Sequence, residues 1–220
     1  MPEWPRTREE LIEEQLRLAA LDPEPWHLEP EARIGGVFVC FARWKSGPGH
    51  AGDPAWAAAS AGEESVVVSG RAGAPYEPGL LAWREGALLE AAVRALAAAP
   101  DVVLVDATGR DHPRRAGLAL HLGALLGLPT VGVTHRPLAA AGEWPPDERG
   151  ARSPLLLAGE LVGYWLRTRA GTRPLAVHAA WRTAPRTAAQ LVLSTCRART
   201  PEPIRRARRR AREARETASQ

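Results

Sequence analysis

A carboxylate at the end of a buried strand, with charged residues close behind it, is the part of this 220-residue chain best suited to chemistry. Val102, Val103, Leu104 and Val105 form a continuous apolar run, the mark of a strand buried on both faces. Asp106 follows at its carboxyl end, where a side chain faces a crevice. The loop Ala107 to Asp111 comes next, and Pro113 predicts the opening of a helix with Leu118, Leu122, Leu125 and Leu126 on one face and Gly127 and Pro129 at its end. Arg114 and Arg115 fall in the first turn of that expected helix, where the macrodipole disfavours cations. A phosphate backbone would resolve the conflict; two solvated arginines in an arginine-rich chain account for it equally well. Glu85, a second carboxylate, lies near the start of another expected helix, where the dipole alone favours it.

The elements that must position these groups can be read from periodicity. Residues 7 to 20 predict an amphipathic helix carrying Leu11, Leu16 and Leu18, with Thr7 as cap and Glu10 completing a capping box, packed on the outside of the sheet. Ile34 to Phe41, Pro54 to Ser60 and Ser65 to Ser69 predict three strands with short connections, an antiparallel meander. Leu88, Leu89, Ala92, Val93 and Leu96 share one helical face. Thr130 to Val133 form another buried strand, residues 139 to 152 an exposed loop, and Pro154 to Ala158 with Glu160 to Arg169 a hairpin around Gly159. A short strand at Leu175 to Val177 and helices near Arg186 to Cys196 and from Pro203 close an α/β domain, a mixed central sheet with flanking helices.

Composition narrows the class. One domain over residues 1–204 is expected, followed by a basic C-terminal tail over 205–220, in which seven Arg face two Glu. That surplus exceeds the chain's whole net charge of +4, so its basic character belongs to the tail, which suits salt-sensitive contact with nucleic acid or a solvated helix end. Lys45 is the only lysine. Cys40 and Cys196 lack disulfide or metal-site spacing and are expected to be buried thiols. No apolar run reaches the roughly 18 residues of a membrane span, so a soluble cytoplasmic protein is expected, with no membrane partner. His27, His50 and His178 lack partners at metal-ligand spacing, and His121 is expected to be packed and hydrogen-bonded. Of eight Trp, Trp44, Trp56, Trp83 and Trp165 are expected in the core, whereas Trp144 and Trp181 are the candidates for stacking on exposed bases.

Two blocks carry a resemblance. Pro75-Tyr76-Glu77-Pro78-Gly79-Leu80-Leu81-Ala82-Trp83-Arg84-Glu85 is similar to P-Y-x-P-G-L-L-x-x-R-E, and Asp106 to Gly123 to D-G-x-G-x-x-H-P-R-R-A-G-L-A-x-H-L-G. Both are motifs of the endonuclease V family, metal-dependent nucleases that cut beside deoxyinosine or inosine, and weaker similarity runs through Ile204. The resemblance implies a ribonuclease-H-like fold and a monomer acting on DNA or RNA. It also implies Mg or Mn held by Glu85 and Asp106, with His112 at the site edge. Tyr76, with Pro78 and Gly79, would wedge the strand open, and the loop of Ala107 and Gly109 would read the flipped base, with Arg114 and Arg115 toward the backbone. Ala107 stands where the family has glycine.

Three further parts of the family's active-site pattern are altered. Phe38 replaces the family's metal-bridging aspartate, His135 its lysine, and Ala180 with Trp181 its Gly-His pair. A phenyl ring cannot bind metal, whereas a protonated His135 could donate to a phosphate. Two functions compete on these residues: a metal-dependent endonuclease for inosine-containing strands, resting on Tyr76, Glu85, Asp106 and His112, and a catalytically degenerate nucleic-acid-binding or protein-interaction module, resting on Phe38, His135 and Trp181.

Overall fold

The computed structural model describes residues 4–42 and 49–218. Trp44, expected in the core, lies outside the described residues. Helix α1 (Arg8–Ala19) starts as its sequence dictates: Thr7 accepts from the Glu10 backbone while the Glu10 side chain returns to the Thr7 backbone. Its buried face holds Leu11, Gln15 and Leu18, whereas Leu16 points outward, and the helix packs on two other helices rather than on the sheet.

Strands β1 (Ile34–Phe41), β2 (Pro54–Ala61) and β3 (Glu64–Arg71) form the expected antiparallel meander. Helix α2 (Leu81–Arg94) then carries the chain to β4 (Val102–Val105), which pairs in parallel with β1, and α3 (Leu118–Leu126) leads on to β5 (Thr130–Thr134), parallel to β4. Strands β6 (Arg152–Leu157), β7 (Glu160–Leu166) and β8 (Leu175–Ala179) return antiparallel, giving the sheet order β3-β2-β1-β4-β5-β8-β7-β6. Helices α4 (Pro185–Ser194) and α5 (Glu202–Thr217) complete the chain. A meander feeding parallel strands, with α1 to α3 on one face and α4 and α5 on the other, is the ribonuclease-H-like arrangement.

Alternation along β1 and β4 sets which side chains meet which helices. Val37, Val103 and Val105 face the α2 and α3 side, while Leu104 lies in the core under α4 and Phe38 in the cluster under α5. The basic segment after residue 204 is therefore no free tail. It is most of α5, whose Ala207 and Ala211 are fully buried against β1 and β2, and Ser60 Oγ donates to Pro203 O at 2.7 Å where the helix begins. Small residues at 207 and 211, four positions apart, allow that close approach, and the arginines other than the buried Arg215 point to the rims.

The segment after Asp106 differs from expectation. Pro113 does not open a helix: residues 112–115 form a turn, Arg115 has φ +58, and Gly117 is extended before α3 begins at Leu118. Arg114 and Arg115 thus lie off the helix, and no dipole acts against them. Cys40 and Cys196 are buried thiols, neither in a disulfide, as expected. His121 is buried and stacked on Trp4 at 4.6 Å, yet neither ring nitrogen has a hydrogen-bond partner among the described residues. Among the described residues no helix is long and apolar enough to cross a membrane.

Candidate functional site

Asp106 emerges from the carboxyl end of β4 into a cleft with two unlike sides. On one side the turn Tyr76 to Leu80 stands over the loop Asp106 to Thr108, and between them lies a cavity of about 170 Å³, lined also by Gln15, His112, Thr134 and Leu138. Tyr76 is 47% exposed at its mouth. Gly79, with φ +80, makes the turn possible, and its carbonyl accepts three hydrogen bonds: from Gln15 Nε2 at 3.0 Å, His112 Nε2 at 2.9 Å and Arg114 NH2 at 3.0 Å. Arg114 Nε also donates to Gln15 Oε1 at 2.6 Å, and the Arg114 backbone donates to His112 Nδ1 at 3.1 Å.

Those bonds fix His112 as a neutral imidazole protonated on Nε2. Burial pushes its pKa down, opposed by the Gly79 carbonyl and reinforced by Arg114. Its observed part is to hold the Tyr76 turn. Arg115 likewise spends its charge on structure, donating to Leu157 O at 3.1 Å and pairing with Glu160 at 3.0 Å, which ties the loop to the β6–β7 hairpin. At Gly109 an added Cβ would lie 2.2 Å from Ala179 O, so glycine is required for the loop to lie on β8. Ala107 is buried in the pocket wall with an ordinary backbone conformation.

The other side holds the charges. Glu85, half-buried in the second turn of α2, is pushed up to about 8 by burial, against the pull of Arg84, and Asp106 adds to the rise. The two carboxylates therefore share one electrostatic environment. Across Asp106 stands Arg208 of α5, its NH2 3.0 Å from Asp106 Oδ2 with the side chains 21% and 26% exposed. The same guanidinium lies 5.1 Å from the centre of the Phe38 ring, and that of Arg212 lies 5.9 Å from it. His135 sits exposed just past β5; partial burial and Arg199 push its pKa down, with Asp106 opposing and Arg208 reinforcing. It is a neutral ring near pH 7, not a ready-made cation.

Trp181 belongs to neither side. Its backbone pairs with Thr130 at the start of β5, the end of the sheet opposite Asp106, and its side chain packs into the core. Because β8 runs antiparallel to β5, whatever follows it is carried away from the cleft. Trp181 is thus neither a base-stacking group nor a substitution in the site. Trp144 is exposed but leans edge-on against Trp165. Arg208 is the functional residue that the sequence concealed. The Ala207, Ala211, Ala214 spacing marks the packed stripe of α5, yet nothing in seven similar arginines says which one reaches Asp106.

A divalent cation at this cleft would need hard oxygen donors converging. Glu85 and Asp106 supply two carboxylates, but Phe38 closes a third wall with a ring and Arg208 already pairs with Asp106. Among the described residues, no three His, Cys, Asp or Glu side chains are grouped to hold a metal. The residues present do not fit the ion that the family resemblance implies.

Comparison with known proteins agrees with the fold. A family model described as Endonuclease V matches residues 25–209. An Endonuclease V from Streptomyces coelicolor is 39% identical over 214 residues, covering 93% of this chain and 89% of that relative. The crystal structure of the Endonuclease V from Streptomyces avermitilis superposes with a TM-score of 0.84 at 35% identity, over 100% of this chain and 98% of the other. Ciona intestinalis Endonuclease V, solved with a 23mer DNA containing an inosine followed by a ribo-adenosine, shares the fold with a TM-score of 0.80 at 21% identity, over 96% and 99% of the two chains.

Proposed function

The chain belongs to the endonuclease V family, and from that premise we propose that it binds inosine-containing nucleic acid while lacking the family's efficient metal-dependent cut. The observation that carries the reading is the cavity of about 170 Å³ beneath the half-exposed Tyr76. Pockets for drug-sized ligands run to roughly 300–1,000 Å³, so this one suits a single planar base turned out of its stack. Tyr76 would fill the place the base leaves, and the three hydrogen bonds accepted by Gly79 O hold the turn in advance. The polymer is DNA or RNA, since base and phosphate contacts of this kind serve either.

Fluorescence anisotropy with strands carrying one inosine, against matched strands with guanine or adenine, tests the reading. We expect a preference for the inosine strand, a drop of roughly tenfold in Tyr76→Ala from lost stacking, and an intact strand after incubation with Mg²⁺ or Mn²⁺. Equal affinity for all three strands overturns it. The shared electrostatic environment of Glu85 and Asp106 favours a second reading, the endonuclease itself. A metal-dependent cut that disappears in Glu85→Ala would establish that one instead.

A further inference from the structure

We propose that Arg208 takes the seat of the divalent cation at Asp106, so that this chain carries its own tethered positive charge there and holds a phosphodiester without metal. Three observations interlock. Arg208 NH2 is 3.0 Å from Asp106 Oδ2, the contact a cation would make. The ring of Phe38, at 5.1 Å, offers the guanidinium a π face, which a delocalised planar cation uses and a hydrated metal ion does not. Buried Ala207 and Ala211 lock α5 on the sheet on either side of Arg208, so its reach is set by packing.

The phenyl ring and the arginine therefore complement each other. A ring at position 38 without the arginine would leave Asp106 beside Glu85 without its paired cation, and the arginine without the ring would lose the surface on which it lies. The guanidinium also keeps donors in reserve: among the described residues its one hydrogen bond is from NH2 to Asp106, which leaves other terminal N–H groups of a partly exposed side chain for a phosphate, whereas Nε is buried. Arg212 adds a second guanidinium against the same ring at 5.9 Å. Together they give the cleft a planar, permanently charged surface that matches phosphate oxygens. The phosphate contact rests on the binding function proposed above; the replacement of the metal does not.

Two measurements on the full chain separate these parts. Mn²⁺ titration followed by electron paramagnetic resonance needs no nucleic acid. Arg208→Ala and Arg208→Gln, the second keeping most of the side-chain stem, are each expected to bind Mn²⁺ at least tenfold more tightly than wild type. Wild-type affinity equal to that of both variants overturns the proposal. In the second measurement, anisotropy with the inosine strand, wild-type affinity is expected to be the same in EDTA as in Mg²⁺. Arg208→Ala should lower it about tenfold and reduce the slope of log affinity against log salt by about one, with Arg208→Lys restoring part of both. Strand binding that requires Mg²⁺ overturns the metal-free phosphate contact and leaves base recognition standing. A wild type that binds no inosine strand under either condition removes the proposed function and the phosphate contact with it, and the Mn²⁺ titration still decides whether Arg208 fills the cation seat.

Discussion

The two sides of the cleft share Asp106 and the loop after it, yet they are built on opposite principles. Around Tyr76 every polar group singled out is spoken for: one carbonyl takes three donors, and His112, Gln15 and Arg114 brace one another. Around Glu85 the arrangement is uncompensated, with a carboxyl pushed up to about 8, an aromatic wall, and a single arginine answering Asp106. A satisfied hydrogen-bond network suits preorganised recognition, whereas the carboxylate pair, faced by an aromatic ring and an arginine, is joined by no third carboxylate, His or Cys among the described residues that could complete a metal site. The difference teaches that, on the proposed function, reading a base and cutting a backbone would be separable on this fold, because the two sides draw on different elements: α1 and the 111–115 loop for one, α2, β1 and α5 for the other.

The largest effect is expected where the two sides join. Gly109→Ala would place a methyl 2.2 Å from Ala179 O, which is backbone and cannot step aside, so the loop must lift from β8. Overpacking of this kind costs about 1–3 kcal/mol, sometimes more, and thermal unfolding should register it as a clear drop in Tm. Strand binding and the Mn²⁺ response of Arg208→Ala should be lost together in that background. Survival of either one alone would show that the sides are less tightly joined than their shared loop implies.

Acid acts on the scaffold of the recognition side. His121, buried against Trp4 beneath α1, is pushed down to about 4 by burial, with Glu14 opposing. The unfolded chain takes up this proton near pH 6.5 and the folded chain only near 4, so stability is full above about pH 6.5 and falls as pH drops toward 4, by up to about 3 kcal/mol for this group. Buried His178, also pushed down to about 4 by burial, with Asp111 opposing, steepens the same slope. Denaturant unfolding at pH 7, 5.5 and 4.5 measures it, and His121→Phe should flatten it in part. An unchanged slope in that variant would mean that the ring is protonated in the folded state after all.

Arg114→Ala, next in size, removes the brace without touching the charged side. The loss of a charged donor to Gly79 O and of its bond to Gln15 is worth roughly 1.5–3 kcal/mol, which by mass action is about tenfold or more in affinity for an inosine strand. Mn²⁺ titration of Arg208→Ala should be the same with or without Arg114. A change there would tie the two sides through more than the loop.

What the sequence disclosed follows from the range of each interaction. The Thr7–Glu10 capping box and the β1 to β3 meander are local, and their residue patterns alone dictate them. Asp106 at a strand end was legible for the same reason. The turn at 112–115 was not, since Pro113 and the leucine spacing match a helix start, while Arg115 at φ +58 and the contact of Gly117 with Thr108 are imposed from outside. Trp181 was misplaced because strand direction, not motif position, decides which end of the sheet a residue reaches. Arg208 lies 102 residues from Asp106, and only the seating of α5 on β1 and β2 chooses it from its neighbours.

The smallest expected effect probes whether the recognition side is as intact as its hydrogen bonds suggest. Ala107 fills the pocket wall where the family has glycine, and its backbone makes no demand for glycine, donating to Val105 O at 2.8 Å in an ordinary conformation. Ala107→Gly should therefore cost about 0.5–1 kcal/mol through chain entropy, a fall in Tm of about 1–4 °C for a domain of this size. If the pocket already admits the base, affinity for an inosine strand changes by less than about fivefold, because one methyl is worth about 1 kcal/mol at most when it neither clashes nor packs on the ligand. A gain of tenfold would mean that the methyl stands where the base should lie. Recognition would then have eroded along with the metal site, and the contrast between the two sides would collapse into a single loss of function.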